Sequence, residues 1–186
     1  MVFRMKSTRR RLLCTMQVLV LACSPPSFAA EPAPDPFAPL RLLAGQWSGT
    51  SEGVSGEAAV TRRYEWVMGG RFLNEVSVSV YPPQDKNRKG ERHEHWGMFS
   101  HDRTRKAIVL RHFHVEGFVN TYRMEAPQGD RLVFESESFE NFSNAWRARE
   151  TLEFKGADEF TETFELAAPG KDFQPYSRTR LTRMPP

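Results

Sequence analysis

The sequence predicts an all-β fold: one antiparallel, closed up-and-down barrel of about ten strands with a short N-terminal helix. Two observations lead to it. After residue 45, apolar side chains recur at every second position in short segments, which is the period of half-buried strands. Turn residues such as Gly, Pro, Asn and Asp separate these segments at near-even spacing. Closure is expected because an open sheet of ten strands would expose two unpaired edges.

A helix of one or two turns is expected at residues 36–45, before the first strand. Asp35 can cap its start, Pro36 suits the first helical position and Gly45 suits the exit. The ten strands are expected at residues 47–52, 64–68, 72–80, 93–99, 108–115, 118–124, 132–138, 146–154, 160–166 and 176–183. In the third of these, the apolar period is carried by Val76, Val78 and Val80.

Residues 1–30 have the pattern of a secretory signal peptide. Five basic residues and no acid precede an apolar stretch at residues 12–23, and small residues end the segment at Ala29 and Ala30. A transmembrane helix needs about 20 apolar residues, whereas this stretch is shorter and is followed by two prolines. We therefore expect export to the periplasm or beyond, and no transmembrane segment in the mature protein.

Two variants of export stay open at this point. The pair Arg9-Arg10 resembles a twin-arginine signal, which would export a folded protein, and Cys23 lies in a loose lipobox that would make a lipoprotein. Simple cleavage after Ala29 or Ala30 is the expectation. Residues 31–36 then form a proline-rich linker, and residues 37–186 form one barrel domain.

Removal of the leader changes the charge and the cysteine content. The full chain has 26 basic and 23 acidic residues, and five of the basic ones lie in the leader, so the mature part has 21 against 23, or −2. A domain without a net positive charge argues against nucleic acid as a partner. Both cysteines, Cys14 and Cys23, are in the leader, which leaves no thiol for a disulfide, a nucleophile or a metal.

The segment Leu40-x-x-Leu43-x-Gly45-x-Trp47-x-Gly49 resembles the opening of the calycin superfamily, which includes lipocalins and fatty-acid-binding proteins. The hairpin at residues 64–73, YEWVMGGRFL, resembles an uncharacterised lipocalin-like family of exported bacterial proteins. Together the resemblances span roughly residues 37–184. They imply a barrel that holds a small molecule in its lumen.

The calycin resemblance also implies an arginine on the last strand, packed across the Trp47 ring. Arg178, Arg180 and Arg183 are the candidates. The opening is similar to that of nitrobindin-like haem-binding barrels as well, in which a His near the C-terminus holds the haem. This sequence has no His after His114, and Tyr176 occupies about that place, so the haem role is not carried over.

Four histidines form two pairs with a spacing of two, His93/His95 and His112/His114, so each pair shares one face of its strand. If the intervening turn centres between residues 103 and 104, His95 faces His112 and His93 faces His114. Such a patch could bind Zn²⁺ or Cu²⁺, or take part in a haem site. The alternative is a polar lining or an exposed strand end, and a slip of one residue would separate the pairs.

Two glutamates, Glu150 and Glu162, lie on otherwise apolar strand faces and are expected inside the barrel. A buried carboxylate needs a partner, and Arg178 or Arg180 is the expected one. Three interpretations stay open: a structural ion pair, a polar anchor for a ligand as the Tyr and Arg of fatty-acid-binding proteins imply, or an acid/base pair of a hydrolase or isomerase.

The sequence as a whole favours non-covalent binding of a small apolar or amphipathic molecule over catalysis. A haem or metal protein and an enzyme with an interior carboxylate are the alternatives, and no cofactor is required by the main interpretation. A monomer and a dimer are both compatible with it. The residues expected to line or anchor the ligand are Trp47, Tyr64, Trp66, Phe134, Trp146, Glu150, Glu162, Phe164, Tyr176 and Arg178.

Overall fold

The structure is a computed structural model that describes residues 34–185. The expected signal peptide, with Cys14 and Cys23, and residues 31–33 of the expected linker lie outside the described residues. Within residues 34–185, no helix combines the length and the hydrophobicity needed to cross a bilayer.

Ten antiparallel strands pair in sequence order, and β10 closes the barrel by pairing with β1. The strands are β1 (Gly45–Gly53), β2 (Gly56–Val67), β3 (Phe72–Tyr81), β4 (Glu91–Asp102), β5 (Ala107–His114), β6 (Val119–Met124), β7 (Arg131–Glu140), β8 (Arg147–Phe154), β9 (Glu159–Ala167) and β10 (Gln174–Arg183). The predicted closed barrel is confirmed, and each predicted strand overlaps an observed one. Several strands run further than predicted because the backbone ladder continues through polar residues that carry no apolar signal.

A 3₁₀-helix, Ala38–Leu43, precedes β1 where a short helix was predicted. Asp35 is not its cap as predicted, because the N-cap residue is Phe37 and no side chain caps the helix. Asp35 Oδ1 instead accepts from the Phe37 amide at 3.0 Å, in the turn before the helix. The tight 3₁₀ form suits a segment with Pro36 and Pro39, since neither proline has an amide hydrogen to donate. Leu40 and Leu43 are fully buried, and they pack on the apolar side chains at this end of the barrel.

Arg183 joins the last strand to the first strand and to the helix. Its guanidinium lies 4.2 Å from the centre of the Trp47 ring and donates to the backbone carbonyls of Leu42 and Ala44, at 2.7 Å each. The predicted arginine across Trp47 is confirmed, and Arg183 is the one among the three candidates. Gly49 on β1 lies close to the last strand as well. A larger residue would not fit there, because a Cβ would lie 1.8 Å from the Arg180 carbonyl oxygen.

The barrel interior next to the helix is an apolar core. Its largest fully buried side chains are Leu40, Leu43, Trp47, Val60, Leu73, Phe99, Leu110, Tyr122, Phe134, Phe160 and Leu181. On β3, however, the inward face turns polar after Leu73 and carries Glu75 and Ser77, while Val76 and Val78 point outward. The apolar period of β3 therefore marks its outer face, the opposite of what the alternation suggests.

Candidate functional site

The other end of the interior, where β1 ends and β4 begins, holds an open cavity of about 400 Å³. The residues nearest the mouth form an aromatic rim, which consists of Tyr81, Phe118, Phe139, Phe142, Phe164 and Tyr176. The deeper residues form a polar floor, which consists of Arg62, His95, His112, Glu150 and Glu162. The cavity lining therefore combines an aromatic rim with a buried charged floor, and Glu91 and Glu116 add carboxylates at the mouth.

Arg62 on β2 and Glu162 on β9 form a buried ion pair in this floor. Arg62 donates through both terminal nitrogens, from Nη1 to Glu162 Oε2 and from Nη2 to Glu162 Oε1 at 2.8 Å. Although burial disfavours its charge, the neighbouring Glu162 holds the pKa of Arg62 well above its usual range. Glu162 thus lies inside the barrel, with a partner that the sequence analysis did not identify.

The prediction that Arg178 or Arg180 would pair with the buried glutamates was wrong. A β-bulge between Pro175 and Ser177 inserts one residue into β10. The alternation shifts at the bulge, so Tyr176 and Ser177 both line the cavity and Arg178 lies on the exposed outer face. A pattern of period two cannot show such an insertion.

Glu75 on β3 lies beneath the polar floor and accepts three hydrogen bonds. It accepts from Tyr64 Oη at 3.1 Å, from His95 Nε2 at 3.4 Å and from His112 Nε2 at 3.2 Å. Burial opposes ionisation, but the hydrogen bonds from His112 and His95 and the charge of Arg62 hold the pKa of Glu75 well below its usual range. Glu75 is therefore a carboxylate in the fully buried layer.

Gly97 on β4 makes the contact between Glu75 and His112 possible. It stands between them in the sheet, paired with Glu75 on one side and His112 on the other. A Cβ at Gly97 would lie 2.7 Å from Glu75 Oε2 and 3.0 Å from His112 Cδ2. The missing side chain lets the two groups meet across the strand that separates them.

His112 bridges two carboxylates. Its Nε2 contacts Glu75, and its Nδ1 lies 3.2 Å from Glu150 Oε1. Burial disfavours the imidazolium, but Glu150 and Glu75 raise the pKa of His112 to about 10. In turn, and against the effect of burial, His112 lowers the pKa of Glu150. A carboxylate that is held ionised does not suit the general-acid role that a hydrolase would need.

The four histidines of the two pairs do share one inward face, but in a different register from the predicted one. His95 pairs with His114, and Gly97 pairs with His112. The strands are joined by four residues, because Asp102 Oδ1 accepts from the amides of Thr104 and Arg105 and shapes a longer turn. The pairing moves by two positions, so all four rings stay inside the barrel.

The rings of His93, His95 and His114 surround one side of the cavity. Their centroids are 5.9 Å, 5.6 Å and 5.4 Å apart. Burial and the charge of His112 lower the pKa of His95, and burial with the neighbouring imidazoles lowers the pKa of His114 to about 2. His95 and His114 are therefore neutral imidazoles at neutral pH.

The remaining candidates fall into two groups. Phe164 and Tyr176 line the cavity, with ring centroids 5.7 Å apart. The others lie elsewhere: Trp47 and Phe134 in the apolar core, Tyr64 in the core with its hydroxyl under the floor, Trp66 against Phe37, and Trp146 beside Phe142. Large aromatic side chains on inward faces thus mark the core as readily as the cavity.

Sequence reasoning missed Arg62, Glu75, Asn120 and Tyr122. Arg62 stands between Val60 and Tyr64 at every second position of β2, so an inward position for the arginine could have been predicted. Asn120 Nδ2 donates to Tyr122 Oη at 2.9 Å and lies 3.3 Å from His114 Nε2. No periodic signal distinguishes such buried polar residues from exposed ones, because both interrupt the apolar pattern.

Comparisons with known proteins support the fold alone. No protein-family model and no curated protein matches the chain. The crystal structure of Rv2717c from M. tuberculosis superposes with a TM-score of 0.57 and 18% identity, over 81% of this chain and 98% of that one. A redesigned β-barrel reaches a TM-score of only 0.40 at 10% identity, over 77% of this chain and 93% of that one, which is too slight a likeness to bear on the fold. The closed ten-stranded barrel and its likeness to Rv2717c support a calycin-like barrel fold.

Proposed function

We propose that the barrel binds a small amphipathic molecule that carries a cationic or hydrogen-bond-donating group. The observation that supports this most is the combination, in one cavity, of an aromatic rim with a buried charged floor. The apolar part of the ligand would be transferred from water to the space between the aromatic rings of the rim, and its polar group would fix its orientation at the floor. A volume of about 400 Å³ suits a small molecule.

The charges of the floor argue for a ligand that is not a carboxylate. Three buried carboxylates, Glu75, Glu150 and Glu162, face two cations, Arg62 and His112. Arg62 already binds Glu162 through two nitrogens. A fatty-acid-like anchor through Arg178 has no support either, since Arg178 is on the outer face. An ammonium, amide or hydroxyl group would find acceptors here, whereas a second carboxylate would meet repulsion.

We also propose that the protein acts outside the cytoplasm. The signal pattern of residues 1–30 supports this. We therefore propose a periplasmic or secreted binding protein. Detection of a chain that begins at residue 30 or 31, without the leader, in the periplasmic or culture fraction of the native host tests this point, and retention of the intact leader in the cytoplasm contradicts it.

Three probes of equal chain length test the ligand class. Octylamine, octanol and octanoate are added separately to the purified domain, and the melting temperature is measured. We expect octylamine to raise it most, octanol less and octanoate least, because a ligand that binds only the folded state stabilises it by mass action. Equal shifts for octylamine and octanoate, or no shift with any probe, would contradict the proposal.

Two phenylalanines of similar exposure provide a matched control. Phe142 is on the aromatic rim and 47% exposed, and Phe113 is on the outer face of β5 and 49% exposed. Phe142→Ala should reduce the octylamine shift, and Phe113→Ala should leave it unchanged. A reduction of the same size in both variants would indicate adsorption to the surface instead of binding in the cavity.

A further inference from the structure

We propose that His93, His95 and His114 form a binding site for a divalent transition-metal ion of the Zn²⁺ and Cu²⁺ class. His93 and His95 come from β4 and His114 from the end of β5, where it pairs with His95. All three face the cavity, and one ring nitrogen from each lies within 4.8 Å of those of the other two. The site goes beyond the proposed binding of an organic molecule and does not depend on it.

The spacing of the rings fits a tetrahedral metal. Zn²⁺ lies about 2.0–2.1 Å from a histidine nitrogen and thus about 3.2 Å from the ring centre, so three ligands of a tetrahedron have ring centres roughly 5.2 Å apart. The observed separations of 5.4, 5.6 and 5.9 Å come close to this value. Binding would require the three nitrogens, which now lie within 4.8 Å of one another, to approach to about 3.3 Å. The fourth position of the tetrahedron would then belong to water or to a molecule in the cavity.

Each of the three rings has a polar neighbour that holds one nitrogen. Glu116 Oε1 lies 2.8 Å from His93 Nδ1, Glu75 Oε1 lies 3.4 Å from His95 Nε2, and Asn120 Nδ2 lies 3.3 Å from His114 Nε2. Metal-binding histidines usually donate the N–H of the nitrogen that does not bind the metal to such a neighbour. The carboxylates of Glu116 and Glu75 can accept it at His93 and His95. At His114 the Asn120 amide would have to turn so that its unpartnered Oδ1 accepts from Nε2.

The second nitrogen of His114 has no such neighbour. His114 Nδ1 and Asn120 Oδ1 are two of the five buried side-chain atoms of residues 34–185 that have no hydrogen-bond partner. A buried polar atom without a partner costs free energy. Coordination of a cation would remove that cost at the nitrogen.

His112 is excluded from the trio, although the sequence groups it with the other three. Both of its nitrogens contact carboxylates, Nε2 with Glu75 and Nδ1 with Glu150. A metal at His112 would have to displace both contacts. His112 instead packs behind His95, with ring centroids 4.5 Å apart.

The charge around the trio favours a cation. The three buried carboxylates exceed the two buried cations, and Glu91 and Glu116 add two more carboxylates at the mouth. Neutral imidazole is a suitable ligand for Zn²⁺, Cu²⁺ and Ni²⁺, whereas Mg²⁺ and Ca²⁺ prefer oxygen. We therefore expect one site that binds Zn²⁺, Cu²⁺ or Ni²⁺ in preference to Mg²⁺ and Ca²⁺.

Isothermal titration of the EDTA-treated protein with ZnCl₂ tests the proposal. We expect one Zn²⁺ per chain and no heat with MgCl₂. His93→Ala and His114→Gln should each weaken Zn²⁺ binding by at least about 10–100-fold, because even an outer partner of a metal ligand is worth that much. His101→Ala is the matched control on the same strand, outside the cavity lining, and should bind as the unchanged protein does.

A neighbouring group of side chains provides one contradicting outcome. Glu91, His93 and Glu116 also converge at the mouth, so a loss in Glu91→Gln with full binding in His114→Gln would place the ion there and overturn the trio. Unchanged binding in both histidine variants, or no Zn²⁺ heat in the unchanged protein, would overturn the proposal as well. His93 is only half-buried, so its variant should fold, and circular dichroism of each metal-free variant checks this.

Discussion

Arg62 and Glu162 are 100 residues apart in the chain, yet they form a two-nitrogen ion pair inside the barrel. The pair links β2 to β9 across the lumen, so it connects strands that do not neighbour each other in the sheet. Its formation removes both charges from water in a layer that also holds Glu75 and His112. The polar floor is therefore one connected network, and its members are expected to depend on each other.

Replacing Arg62 should reveal that dependence. Arg62→Met leaves Glu162 buried without its cation, and we expect a loss of about 3–5 kcal/mol in the free energy of unfolding, measured with urea. Arg178→Met changes the same residue type on the outer face and should cost less than about 0.5 kcal/mol. The double variant R62M/E162M removes both charges and should recover part of the loss. If Arg62→Met is as stable as Arg178→Met, the ion pair does not stabilise the network.

Adding one methyl group at Gly97 should separate Glu75 from His112. Gly97→Ala places a carbon where Glu75 Oε2 and His112 Cδ2 now meet, and overpacking of this kind costs about 1–3 kcal/mol. Urea unfolding gives the free energy, and NMR of the His112 ring shows whether the contact with Glu75 is weakened. A variant of unchanged stability with an unchanged His112 signal would contradict the proposed role of Gly97.

Stability at alkaline pH should depend on His112. Its pKa is raised in the folded state to about 10, against about 6.5 in an unfolded chain. Folding therefore gains from the charged ring fully below pH 6.5, and that gain is lost as the pH rises through about 10. We expect the free energy of unfolding to fall over this range.

The comparison with His112→Gln isolates this contribution from other groups that titrate at high pH. The variant should be less stable at pH 7 and should show a weaker pH dependence between pH 7 and 10. If it does not fold, NMR of the ring nitrogens of His112 in the unchanged protein gives the pKa directly. A ring that titrates near 6.5 would be incompatible with its place between Glu75 and Glu150.

Most of the fold could be predicted from the sequence because the barrel repeats a simple pattern. Ten segments of period two and the turns between them give the strands, and the resemblance around Trp47 gives the helix and the closing Arg183. The inward position of Glu150 and Glu162 followed from the same alternation. These features depend on local patterns, which a single sequence shows well.

The details of the site could not be predicted, since they depend on exceptions to that pattern. One bulge in β10 turns Arg178 outward, and one longer turn after Asp102 moves the histidine pairing by two residues. On β3 the more apolar face is the outer one, so Glu75 was missed. The partner of Glu162 comes from a strand 100 residues away, and such contacts are set by closure instead of by local sequence.

NMR of the five imidazole rings during a titration with octylamine tests binding in the cavity most directly. His95, His112 and His114 lie around the polar floor, whereas His101 lies near Phe37, by the helix. We predict that octylamine shifts the signals of His95, His112 and His114 and leaves that of His101 in place, and that octanoate shifts none. Unmoved floor signals at saturating octylamine, or equal movement of His101, would contradict a ligand site inside this barrel.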